Sequence, residues 1–123
     1  MLGSPLCTAM TAKDIRKVNP RLTPSESQRI ADSVNVNADK NGIPRVVIFR
    51  IIHVESTFNP RVPYGLMGLQ NPKLRRQAPR GSIEANIAVG VSYLAAQRRL
   101  CRGDLSCALT RYNGSRKYVR KIL

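Results

Sequence analysis

The sequence predicts a mainly α domain, and three observations carry that reading. Helix start and stop signals recur at short intervals, apolar residues return every three or four positions, and strand-type alternation is absent. With 123 residues, 42% of them hydrophobic, the chain is sized for one core and rich enough in aliphatic residues to bury it.

The elements follow in order. Thr11 opens a short segment with Asp14 three residues on, the spacing of a capping box, and Asn19-Pro20 closes it. A stronger start stands at Thr23-Pro24-Ser25-Glu26, which supplies an N-cap, a proline at the first helical position and a Glu at the third. Ile30, Val34 and Ala38 then recur every four residues up to the stop at Asn41-Gly42. Ile43-Pro44 restarts the chain. Val46, Val47, Ile48, Phe49, Ile51, Ile52 and Val54 are too dense for one stripe, which predicts a central helix covered on most sides. From Phe58 to Gly81, Pro60, Pro63, Gly65, Gly68, Pro72 and Pro79 predict a long irregular loop segment with one helical turn after Asn71-Pro72, and excursions of this length are usually functional. Ser82 reads as the N-cap of a helix carrying Ile83, Ile87, Val91, Leu94 and Ala95 on one face and ending near Gly103. Asp104 caps the next, with Leu105, Ala108, Leu109 and Tyr112 inward and Asn113-Gly114 as its stop. Arg116 to Leu123 reads as a last helix with Arg116, Lys117, Arg120 and Lys121 on one face. Residues 1–22 are read as an N-terminal extension or short helix, and 23–123 as the main domain.

Charge narrows the partners. Twenty-one Lys and Arg against seven Asp and Glu give a formal charge of +14, so a polyanion is expected: nucleic acid, an acidic membrane face or an anionic cell wall. No apolar run is long enough to span a membrane. Met1 to Met10 lacks the basic start and apolar stretch of a whole signal peptide, and Leu6 is too bulky for a lipoprotein site before Cys7. Cys101 and Cys107 flank a turn that brings them into disulfide range or are two buried free thiols, and Cys7 is left over either way. The lone His53 makes no metal cluster with these cysteines, and no metal or cofactor is expected.

Glu55 is the candidate catalytic residue. It ends the most apolar helix, one turn after Ile51 and Ile52, so its carboxyl is expected to rest against hydrocarbon. Such a site disfavours the charged form and raises the pKa toward that of a general acid. The competing reading is a solvent-facing Glu paired with Arg61. His53, two residues away, lies on another side of the helix and is no partner to it.

Four blocks stand downstream in order: Glu55-Ser56-Thr57-Phe58-Asn59-Pro60, then Tyr64-Gly65-Leu66-Met67-Gly68-Leu69-Gln70, then Asn86-Ile87 with Gly90 and Tyr93-Leu94, then Ala108-Leu109 with Tyr112-Asn113-Gly114. From about Val36 to Tyr118 this series resembles the soluble lytic transglycosylase catalytic domain, a lysozyme-like family that includes goose-type lysozyme. The resemblance implies a lysozyme-like helical domain with an irregular cleft-forming loop segment, and places Glu55 as general acid and base. Ser56 matches a residue that helps hold the reacting sugar, and Gly65, Leu66 and Met67 match the block lining the cleft. Tyr112 and Asn113 match a Tyr-Asn pair, the Tyr expected to hydrogen-bond Glu55. Tyr64, Gln70 and Asn86 complete the expected substrate-binding set, and Gly90 is read as a packing residue. The family has Gln directly after its Gly-Leu-Met. Here that position is Gly68, with Gln70 two residues later, or Gly68-Leu69-Gln70 is the block shortened by one residue.

The resemblance implies a peptidoglycan lytic transglycosylase that cuts the β-1,4 bond between N-acetylmuramic acid and N-acetylglucosamine and leaves a 1,6-anhydro sugar. The acid inventory agrees, since no carboxylate lies between Glu55 and Glu84 and two-carboxylate glycosidases need a second one nearby. The expected partners are peptidoglycan glycan strands and, through the basic surface, anionic wall polymers. The expected place is the periplasm or cell wall, reached by secretion or by delivery from a phage virion or export apparatus. The alternatives are lysozyme-type hydrolysis of the same bond, a non-catalytic wall-binding or assembly protein, and a nucleic-acid binder using Lys73, Arg75, Arg76 and Arg80. The absence of Trp and of helix-turn-helix spacing speaks against the last, so no specific nucleic acid is expected.

Overall fold

Local chemistry starts and stops most of the helices. The computed structural model describes residues 10–123, so the expectations for the leader-like segment and Cys7 lie outside the described residues. The Thr11 side chain accepts from the Asp14 amide while the Asp14 carboxylate accepts from the Thr11 amide, a capping box that opens α1 (Ala12–Val18). Thr23 and Glu26 repeat the arrangement at α2 (Pro24–Asn41), with Pro24 in the first turn where its missing N–H costs nothing. The next helices are α3 (Arg45–Ser56), α4 (Pro72–Gln77), α5 (Glu84–Leu100), α6 (Leu105–Asn113) and α7 (Arg116–Ile122). Among the described residues there is no strand, and the fold is all-helical.

Two expectations about the helices need correction. The apolar run of α3 buries Val47, Ile48, Ile51 and Ile52, but Val46 and Phe49 are half-buried and Val54 is 41% exposed. The helix is therefore covered on one broad face with its flanks, rather than on most sides. Ser82 does not cap α5 either. Ile83, itself buried and with a helical-type backbone, holds the N-cap position without a side-chain hydrogen bond, and the Ser82 hydroxyl is buried without a partner. Glu84 in the first turn supplies the negative charge that a helix N-terminus favours.

The core sits around α5. That helix packs against α2 on one side and α6 on another, α4 lies along it, and α7 bridges α6 and α3. Ile30, Val34, Ile48, Ile52, Ile87, Val91, Leu94 and Leu109 are fully buried between them. At about 25 cal/mol per Å² of apolar surface removed from water, side chains of this size contribute roughly 1.5–3 kcal/mol each. α1 belongs to the same core through Ile15. The Asn35 side chain ties Met10 to α2 by two 2.9 Å hydrogen bonds. Cys101 and Cys107 are joined in a disulfide, with Cα atoms 5.9 Å apart, which staples the end of α5 to the first turn of α6. Asp104 caps α6 within that loop by accepting from the Cys107 amide.

Candidate active site

The last turn of α3 delivers Glu55 to a junction of four segments: α6, α7, the loop 64–71 and α3 itself. The chain leaves α3 through Thr57 and Phe58, both with left-handed backbone at φ 52° and 60°. Consecutive left-handed residues with side chains cost of order 1–3 kcal/mol each, and such strain persists only where the surroundings enforce it. Here Phe58 is fully buried with its ring 4.8 Å from Phe49, and its carbonyl accepts from the Asn19 side chain at 3.0 Å.

The loop beyond is held by side chains reaching from helices. The Ser56 hydroxyl, at the end of α3, makes a 2.9 Å hydrogen bond to the Leu66 carbonyl and a 3.0 Å bond to that of Ile52. Asn86 on α5 accepts from the Met67 amide at 2.8 Å and donates to the Tyr64 carbonyl at 3.4 Å. The Tyr112 hydroxyl on α6 donates to the Met67 carbonyl at 2.6 Å. Gly90 leaves room for Met67 on α5, since a Cβ there would lie 2.7 Å from the Met67 Cβ.

These anchors bring Gly68 against the carboxyl of Glu55. Gly68 has φ +66°, and a Cβ built on it would lie 2.6 Å from the Glu55 Cδ, far inside van der Waals contact. A side chain at this position would have to displace the Glu55 carboxyl and hold a strained positive φ. A small recess of about 80 Å³ opens beside the pair, lined by Glu55, Gly68, Gln70, Tyr93, Tyr112 and Asn113 among others. Gln70 lines the same recess as Glu55 while position 68 carries no side chain, which agrees with the register in which the loop block is one residue short.

Burial in this setting raises the Glu55 pKa above its ordinary value of 4.5, opposed by Tyr118, Asn113 and, through its charge, Lys121. The Tyr118 hydroxyl is buried and makes no hydrogen bond of ordinary geometry, yet it lies near enough to the carboxyl to favour the charged form. Burial and the Glu55 charge push both Tyr112 and Tyr118 well above the usual phenol range, so both are neutral donors at any working pH.

The other side-chain carboxylates are occupied elsewhere. Asp14 and Glu26 complete capping boxes, and Glu26 also accepts from Arg61 at 2.8 Å. Asp32 accepts from Gln28, Asp39 pairs with Arg45, Glu84 pairs with Arg29 and Asp104 caps α6. Glu55 alone among them lines the recess. Among the described residues there is also no group of His, Cys, Asp and Glu that could hold a metal ion.

The Transglycosylase SLT domain family matches residues 32–123, most of the chain. The chain belongs to that family. No curated protein and no solved structure matches it. The match makes this SLT domain a lytic-transglycosylase type of protein directed at peptidoglycan, and no helix among the described residues is long and apolar enough to cross a membrane.

The geometry redistributes several expected roles within the SLT domain. The paired reading of Glu55 is overturned, because Arg61 bonds Glu26 instead. Tyr112 lines the recess with Glu55 but donates its hydroxyl hydrogen bond to the Met67 carbonyl. Ser56, Leu66, Met67 and Asn86 are buried, and the bonds from Ser56 to the Leu66 carbonyl and between Asn86 and the Met67 amide hold the loop that walls the recess. Tyr64, 42% exposed, and Gly65 line a different groove. Glu55, Gln70, Tyr112 and Asn113 are the expected residues that come together. Tyr118 was missed by sequence reasoning. Its signal was present, since Tyr118 and Ile122 are four residues apart and form the buried face of an otherwise basic helix.

Proposed function

We propose that Glu55 is the single general acid and base of a lytic transglycosylase acting on the bond between N-acetylmuramic acid and N-acetylglucosamine. The observation that carries this is the isolation of Glu55: it is half-buried, its pKa is raised, and every other side-chain carboxylate is engaged away from the recess. A protonated Glu55 donates its proton to the glycosidic oxygen as the bond from the anomeric carbon breaks. The resulting carboxylate takes the proton of the muramic acid 6-hydroxyl, whose oxygen closes on the anomeric carbon to give the 1,6-anhydro sugar. One proton leaves Glu55 and one returns, no water is consumed, and no second carboxylate is needed.

Gln70 and Asn113, which line the recess, hold the sugar beside Glu55 in this reading, and the neutral Tyr118 hydroxyl steadies the carboxylate between the two proton transfers. Gly68 gives the reacting sugar access by leaving the carboxyl uncovered. The +14 charge draws the protein to an anionic wall, and the Cys101–Cys107 bridge suits an oxidising compartment such as the periplasm or cell wall.

Mass spectrometry of digested peptidoglycan tests this. The wild type is expected to release anhydro-muropeptides, and Glu55→Gln to lower that release by roughly 10²–10⁴-fold or more, the usual scale of a general acid. Reducing-end products in place of anhydro ones would make the protein a lysozyme. Absence of any release would make it a wall-binding protein.

A further inference from the structure

A second groove, of about 490 Å³, is lined by Tyr64, Gly65, Arg75, Arg76, Arg80 and Asn86 among others. Its charge is one-sided. Between Glu55 and Glu84 the sequence holds Arg61, Lys73, Arg75, Arg76 and Arg80 and not one carboxylate. None of the three groove arginines forms an ion pair among the described residues, where the ion pairs are those of Arg29, Arg45 and Arg61. Arg75 is nevertheless held in place, its guanidinium 5.3 Å from the centre of the Tyr64 ring. Three exposed guanidinium groups without an ion pair give this concavity a positive potential that favours an anionic occupant.

The groove and the Glu55 recess share a wall. Tyr64 and Gly65 edge the groove, Gly68 and Leu69 edge the recess, and the turn between them is closed by a 2.9 Å hydrogen bond from the Leu69 amide to the Tyr64 carbonyl. α4 runs between the two, with Leu74 toward the recess and Arg75 and Arg76 toward the groove. A group attached to a sugar at Glu55 would leave the recess beside the same turn and the same short helix that edge the arginine groove.

We propose that this groove binds the carboxylates of the peptide carried by the muramic acid, so that the domain recognises strands bearing acidic peptides. The guanidinium forks of Arg75, Arg76 and Arg80 match carboxylate geometry, and charge-assisted hydrogen bonds of this kind are the strong ones. The inference rests on the reading of Glu55 as cutting a glycan strand, and its test is a binding measurement that does not need cleavage.

Titration calorimetry would compare three soluble probes: the disaccharide bearing its peptide, the same compound with its carboxyls converted to amides, and the disaccharide without peptide. The expected result is binding of the first at least about tenfold tighter than the other two, weakening as salt rises. That advantage is expected to vanish in the triple variant Arg75→Gln, Arg76→Gln and Arg80→Gln. Equal binding of the three probes by the wild type, which involves no variant, would overturn the proposal. So would an advantage that survives in a folded triple variant, or binding through these arginines of a phosphate-rich wall polymer but not of the peptide. Carboxylate-dependent binding without cleavage would sink the assignment of Glu55 and leave the groove standing. Cleavage without any carboxylate preference would do the reverse.

Discussion

The scaffold of α1 and α2 and the loop 57–83 are built on different principles. Each of the first two helices opens on a capping box and continues on its own periodicity, so its stability is local and spread over many residues. The loop has one short helix, two left-handed residues with side chains, and a handful of hydrogen bonds from Asn19, Ser56, Asn86 and Tyr112 that each span ten or more residues. Loss of one local signal should therefore leave the scaffold intact. Loss of one anchor should move the wall of the recess.

Gly68→Ala should break the loop most severely. The new Cβ meets the Glu55 carboxyl and the residue is forced to keep φ +66°, so activity on peptidoglycan should fall by roughly 100-fold or more with a stability loss of about 1–3 kcal/mol. Release assays and a urea titration would check the two effects together. Activity close to wild type would mean that Gly68 and Glu55 are not held in contact.

Asn86→Ala leaves the buried Met67 amide without its acceptor, a loss of about 1–3 kcal/mol, and should cut activity by about tenfold as the loop loosens. Thr23→Ala is the matched change in the scaffold. It removes an N-cap worth about 1 kcal/mol and should leave the rate of cleavage untouched. Measured side by side, the pair sharpens the contrast: if both variants lose activity in proportion to stability, the loop has no special dependence on its anchors.

The smallest effect concerns pH. The folded state raises the Glu55 pKa above 4.5, so it holds that proton more tightly than the unfolded chain. Stability from this group is fully present below about pH 4.5 and is lost as pH rises through the raised value. Glu55→Gln does not titrate, and its melting temperature relative to wild type should climb across that window and then level off. A constant difference across it would mean that burial does not disfavour the Glu55 charge.

The same contrast explains what the sequence makes legible. Capping boxes at Thr11 and Thr23, the Asp104 cap and the stops at Asn41-Gly42 and Asn113-Gly114 are short-range chemistry, and these boundaries could be read residue by residue. Glu55 was visible because an acid after Ile51 and Ile52 is a local anomaly. The partners of the loop anchors were not visible. Asn86 and Met67 are nineteen residues apart and Tyr112 and Met67 forty-five, and nothing in either local pattern says that a helix side chain ends on that backbone. Gly68 looked like a departure from the family's Gln, and only its contact with Glu55 gives it a positive reason. Ser82 misled because serine before an apolar periodic run is the usual cap signal, whereas a buried Ile83 takes that position.

The central claim is that one carboxylate does the chemistry and the substrate's own hydroxyl closes the ring. Digestion of peptidoglycan in oxygen-18 water reads this directly at the newly formed sugar ends. Ring closure predicts anhydro ends that carry no label; labelled reducing ends formed by the wild type and lost in Glu55→Gln would contradict it and assign the same Glu to hydrolysis.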